Sequence, residues 1–192
     1  EILIGLVGSE MCIRDSGEKL PHYTEVGVGF SKMCLTPMLE YGRQALEDNK
    51  KGVATEALEQ VALAIVVTTA IVSIFLTRDF TPDYNSGLAH ACFYALTAYP
   101  VIEKEHLHGE VVGFGVLYAL LVDGQQEEFE KIYALNKELG LPVRIADIGI
   151  TEEQFFETMD RIPQMSDIRH YPYVVTKEML MQAYETIEQL SI

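Results

Sequence analysis

The chain has 192 residues, 48% hydrophobic and 22% charged, which excludes intrinsic disorder and allows one domain or two small ones. Its formal net charge of −15, from 29 acidic against 14 basic side chains, argues against nucleic acid or an anionic membrane surface as a partner. Cys12, Cys34 and Cys92 are too few and too scattered for a disulfide framework or a CxxC metal site, which points to a reduced, cytoplasmic, soluble protein.

Residues 1–16, EILIGLVGSEMCIRDS, do not read like the rest. The stretch is apolar, but it lacks the basic start and small-residue cleavage site of a signal peptide, and it opens on Glu1. Back-translated, Met11–Ser16 matches ATG TGT ATA AGA GAC AG, the mosaic end of a transposase sequencing adapter. The codons upstream in frame account for Leu6 to Glu10. Residues 1–16 are therefore expected to be translated adapter, with the biological sequence starting at Gly17 inside a longer gene. Without them the charge is −13, from 13 basic and 26 acidic residues, and two cysteines remain.

From residue 17 onward helical patterns dominate. Phe30–Asn49 places Met33, Leu35, Met38, Leu39 and Leu46 at near-helical spacing, with Pro37 predicting a start or kink. Thr55 caps a second helix whose stretch Gln60–Leu76 contains no charge. It falls just short of a membrane span, and the pattern predicts a helix buried on all sides of a bundle. Ser86 or Asn85 opens a helix from Gly87 to Thr97, ended by Tyr99-Pro100. Helices then follow over 108–122, over 125–139 with Gly140 at its end, over 151–162 and over 176–190. With no strand pattern and no internal repeat, the fold class is all-α: a helical bundle of about seven helices.

Nothing in this pattern is a nucleotide loop. Gly109, Gly113 and Gly115 follow no strand and sit at helical spacing, where they predict close helix packing. There is no GxSxG motif, and Cys34 and Cys92 read as small buried residues. Of five histidines, His90 and His108 stand out. His90 lies one turn into a helix among small residues, and His108 begins the next long helix, followed by Gly109 and Glu110. Two helices joined by a short loop can face these imidazoles toward one divalent metal. Spacing alone stops there, because two ligands do not make a site.

Ser86–Ala91, Ala95-Leu96-Thr97 and His106–Gly115 together resemble the metal-binding core of glycerol dehydrogenase and its iron-containing alcohol dehydrogenase relatives. Leu39–Gly42, Thr55–Glu59, Gly140-Leu141-Pro142 and Ile168-Arg169-His170 extend the resemblance over roughly residues 28–190. It implies a two-domain enzyme with an N-terminal NAD-binding half, absent here, and a C-terminal all-helical, metal-binding half that residues 17–192 represent. It implies that His90 and His108 bind Zn²⁺ or Fe²⁺, with Glu110 orienting His108 or acting as a helix-start acid. His170 lines the pocket or closes a helix.

The implied chemistry is oxidation of an alcohol or polyol such as glycerol by hydride transfer to NAD, in a cytoplasmic homo-oligomer. No catalytic residue beyond the metal ligands is implied, and the chain alone is expected to be inactive. The family's third ligand, an aspartate in a Gly-Asp motif, has no counterpart, and neither Asp79 nor Asp83 is assigned to the role. Phe93 and Glu105 stand where glycerol enzymes often carry histidine, which bears on the choice of alcohol. The alternatives are a hydroxycarboxylate or phosphorylated polyol as substrate, and a non-catalytic helical binding domain.

Overall fold

The computed structural model describes residues 19–77 and 86–190, apart from the side chain of Lys32. The adapter-like residues 1–16, and Asp79 and Asp83, lie outside the described residues. The described residues form nine α-helices and no strand. In chain order these are α1 (His22–Lys51), α2 (Glu56–Leu63), α3 (Thr69–Leu76), α4 (Leu88–Leu96), α5 (Pro100–Glu105), α6 (His108–Val122), α7 (Gln126–Leu139), α8 (Glu152–Arg161) and α9 (Lys177–Gln189).

The first three helices make a hairpin. α1 runs through Pro37 and starts eight residues before the predicted Phe30, so the proline neither begins nor ends it. Proline removes only one helical hydrogen bond, and Met33, whose carbonyl loses it, lies on an exposed turn within reach of water. Gly52, at φ 68°, ends α1 in the left-handed conformation. Thr55 then serves both helices. Its hydroxyl donates to Asp48 at 2.6 Å and accepts from the Leu58 N–H at 3.3 Å, capping α2. Gly27 lets the hairpin close, since a Cβ there would meet Phe75 Cβ at 2.8 Å.

α2 and α3 are one rod joined by a π-helical turn, Ala64–Thr68, where Thr69 Oγ1 donates to the Ala64 carbonyl at 3.0 Å. The expectation that this apolar rod is buried on all sides is wrong. Only one side packs on α1, around a small core of Cys34, Ala64, Val72 and Leu76. Val66 is 68% and Ile74 72% exposed, and Leu63, Ile65 and Val67 are exposed as well. The rod has the length and apolar composition of a membrane span. Ile74→Lys is therefore expected to leave stability within about 0.5 kcal/mol in urea denaturation while lowering self-association in light scattering.

The helix buried all round is α6. From Gly109 to Leu120 every residue except Glu110 is buried, and α4, α7 and α9 pack around it. Its closest neighbour is α4. Phe129 and Ile132 of α7, Phe155 and Met159 of α8, and Leu180 and Ile187 of α9 complete the main core. Gly140, at φ 73°, ends α7 as the sequence predicts. Thr151 and Thr176 cap α8 and α9, each accepting a backbone N–H three residues on. The short α5 is an addition to the predicted set. Tyr99-Pro100 follows the end of α4, as the sequence predicts, and Pro100 also opens α5 at its first turn, where its missing N–H costs nothing.

Candidate metal site

His90 and His108 meet where α4 and α6 cross. The crossing is close because Gly115 has no side chain: a Cβ there would meet the Ala89 carbonyl oxygen at 2.6 Å and Ala89 Cα at 3.0 Å. Gly113 is different, with nothing nearer to its Cβ position than Asn136 Nδ2 at 4.0 Å. Ala89 immediately precedes His90, so the glycine contact fixes the depth at which that imidazole enters the bundle. The two imidazole centroids lie 5.8 Å apart, tilted by 41°.

The two rings differ in environment. His90 is 6% exposed, and its Nδ1 has no hydrogen-bond partner. Burial, then the neighbouring His108, pushes its pKa down to about 4, against an opposing pull from Asp167. His90 is thus a neutral imidazole at neutral pH, with a buried nitrogen lone pair or N–H left over. His108 is exposed at the first position of α6. The Phe93 ring stands edge-on to it at 4.3 Å and 82°, and Tyr94 lies 6.4 Å from His90. One side of the pair is therefore aromatic.

Glu110 folds back over the start of α6. It accepts from the Leu107 N–H at 3.1 Å and lies 3.5 Å from His106 Nδ1, so these contacts are those of a helix-capping acid. His170 accepts from Arg169 Nε at 3.0 Å in the turn before α9. Its neighbour Tyr171 has a contact that sequence reasoning missed: the phenol oxygen accepts the Leu88 N–H, at 3.2 Å, in the first turn of α4. That bond spans 83 residues and ties the Ser166–Tyr171 segment to the helix carrying His90. Cys92, also on α4, is buried and its thiol is pushed up to about 12, which keeps it unreactive.

Comparison with known proteins places this arrangement. The chain is 31% identical over 134 residues to a glycerol dehydrogenase of Escherichia coli O6:H1, matching 68% of this chain and 33% of the relative. It belongs to the glycerol dehydrogenase and iron-containing alcohol dehydrogenase family. A hydroxycarboxylate dehydrogenase A of Escherichia coli K12 is 25% identical over 176 residues, covering 89% of this chain and 47% of the relative. Among solved structures, glycerol dehydrogenase from Schizosaccharomyces pombe shares the fold with a TM-score of 0.77 at 22% identity, over 99% of this chain and 49% of that one. No family model matches. This family member spans between a third and a half of the length of these relatives. The all-helical architecture is the one expected from the resemblance to the family's C-terminal domain.

The family implies a metal, and the chemistry of the donors here fits it in part. A neutral, buried imidazole with an unpartnered nitrogen beside a second imidazole suits two ligand positions. Among the described residues, no third His, Cys, Asp or Glu joins them in a group able to hold a metal.

Proposed function

We propose that this chain is the metal-binding, all-helical part of an NAD-linked dehydrogenase that oxidises an alcohol or polyol such as glycerol. The observation that carries this reading is the pairing of His90 and His108 across the α4–α6 crossing, one ring buried and neutral and the other at the surface. Both would hold Zn²⁺ or Fe²⁺. When bound, such an ion supplies Lewis acidity that lowers the pKa of a substrate hydroxyl and favours hydride loss.

The chain's own residues do the positioning. His90 stays unprotonated at neutral pH because burial disfavours its charge, so no proton competes for its nitrogen. His108 is steadied by the edge of Phe93. That ring and Tyr94 place aromatic area beside the imidazoles. Glu110, engaged with Leu107 and His106, acts on the start of α6, and so on the residue preceding it in that turn. NAD would be held chiefly by the length of the relatives that this chain does not span. The working enzyme would be a cytoplasmic homo-oligomer. His170 and the tyrosine beside it would keep the Ser166–Tyr171 segment against α4.

Metal binding tests this directly. The chain joined to an NAD-binding half, stripped of metal, titrated with Co²⁺ and followed by its visible absorption, is expected to bind one equivalent. His90→Ala and His108→Ala are each expected to weaken binding by about 100-fold. A wild-type chain without stoichiometric binding, or two variants that bind as well as wild type, would overturn the reading and leave a non-catalytic helical domain. A hydroxycarboxylate substrate is the second reading, favoured by the similarity to hydroxycarboxylate dehydrogenase A and by Phe93 at a position the glycerol enzymes often give to histidine. A substrate panel on the protein joined to an NAD-binding half separates the two.

A further inference from the structure

α2, α8 and α9 each open on a threonine whose hydroxyl accepts a backbone N–H of the first turn. α4, the helix that carries His90, opens on Gly87, which has no side chain to do so. A helix leaves its first four N–H groups without an internal acceptor, and the first of these in α4 belongs to Leu88. Leu88 is 0% exposed, so its N–H is closed to water. Its acceptor is the Tyr171 phenol oxygen, 3.2 Å away and 83 residues along the chain.

The segment that delivers this phenol is itself well held. Its 3-10 turn, Ser166–Ile168, packs against α4. The Arg169 N–H donates to the Ser166 carbonyl at 3.2 Å, and the Tyr171 N–H to the Ile168 carbonyl at 3.1 Å. The Tyr173 ring stands edge-on to Tyr171 at 5.6 Å and 84°, which fixes the direction of the phenol. Asp167, in the same turn, lies near enough to His90 to pull it toward its charged form. Two separate side chains of one segment therefore converge on the first turn of α4.

We propose that Tyr171 is a positioning residue for His90: its hydroxyl caps α4 from across the fold and fixes the turn from which that imidazole faces His108. The inference rests on the reading of His90 and His108 as metal ligands. His90 follows Leu88 by two residues, inside the turn whose first donor the phenol satisfies. Without the hydroxyl, a buried N–H is left unpaired and bears the full penalty of its desolvation. The turn escapes that penalty by unwinding until water reaches Leu88, and unwinding carries His90 with it. Gly115 sets how closely α4 approaches α6, whereas Tyr171 sets where along α4 the regular helix begins.

Tyr171→Phe removes the acceptor and keeps the ring. In the full chain, hydrogen exchange at the Leu88 amide, followed by NMR, is expected to quicken about tenfold while the amides of α9 hold their wild-type rates. In the chain joined to an NAD-binding half, the same variant is expected to bind Co²⁺ about tenfold more weakly and with a shifted visible spectrum. Tyr173→Phe is the control, because its hydroxyl bonds to Asp123 and not to α4. It is expected to leave Leu88 exchange, Co²⁺ affinity and the spectrum as in wild type. Wild-type exchange at Leu88 in Tyr171→Phe would overturn the proposal, and so would equal effects of the two variants. A Tyr171→Phe protein that loses stability in urea yet keeps the wild-type Co²⁺ affinity and spectrum would also overturn it, since a purely structural tie gives that result. Failure of the wild type to bind Co²⁺ would instead strike the reading of the two histidines, and the role of Tyr171 with it.

Discussion

Gly115→Ala is expected to destabilise the chain by about 3 kcal/mol in urea denaturation, even though alanine is the better helix former by about 1 kcal/mol. The new methyl would have to occupy space 2.6 Å from the Ala89 carbonyl oxygen and 3.0 Å from its Cα. Those are backbone atoms and cannot swing away as a side-chain tip would. Relief requires α4 and α6 to move apart, which loosens the part of the core contributed by Leu88, Cys92, Leu117 and Tyr118. Gly113→Ala is the matched control on the same helix. Its new methyl has open room, so the substitution is expected to be neutral or stabilising. Equal losses for the two variants would show that the crossing is not set by Gly115. Co²⁺ binding should follow stability, falling with Gly115→Ala and holding with Gly113→Ala, because the crossing also sets the separation of the two imidazoles.

The second large effect is an acid destabilisation centred on His90. In the unfolded chain this histidine takes up its proton near pH 6.5, whereas in the metal-free fold it resists until about pH 4. Between those values the unfolded state binds more protons than the folded one, so stability falls as the pH drops through the window. The full loss is about 3 kcal/mol, reached near pH 4 and constant below it for this group. Above pH 6.5 His90 contributes no slope. Urea denaturation at a series of pH values in the presence of a chelator measures it. The reading is the difference between wild type and His90→Leu, since every other titrating group is common to both. His90→Leu is expected to lose less stability than wild type on going from pH 7 to pH 4.5. Parallel curves would place His90 in contact with water or with a partner that stabilises its charged form.

Much of the fold was legible in the residues themselves, and the reasons are local. Thr55, Thr151 and Thr176 announce helix starts because a hydroxyl at that position satisfies a backbone N–H within its own turn. Gly140 announces an end because the left-handed conformation costs it nothing. What misled was whatever depends on the rest of the molecule. Pro37 and Pro100 have the same local chemistry, yet one is carried inside a long helix and the other opens a short one. The rod Glu56–Leu76 and helix α6 are both apolar around most of their circumference, and composition does not tell which of them is central. The expectation of a rod buried on all sides fails for that reason. What sets α6 apart is that α4, α7 and α9 all have somewhere to pack on it, with Gly115 allowing the closest approach.

The site divides the same way. His90 and His108 were picked out by residue type and by the resemblance to a family, and Phe93 by its departure from that family. The edge-on contact of Phe93 with His108, the reach of Tyr171 to the first turn of α4 and the electrostatic influence of Asp167 on His90 depend on side chains far apart in the chain. No spacing rule reports them. Asn136 reads in the sequence as an ordinary polar residue of an amphipathic helix, and only its burial in the fold shows that half of its amide is stranded.

The hairpin's separate core gives these measurements a thermodynamic grain. Four residues, Cys34, Ala64, Val72 and Leu76, hold α1–α3 together, while the other helices share a core many times larger. A chain built this way is expected to melt as two cooperative units, the smaller one first, which calorimetry would show as two transitions. Gly115 and His90 both belong to the larger unit and act on the later transition. The Arg43–Glu138 ion pair bridges the units at the surface, where it adds little.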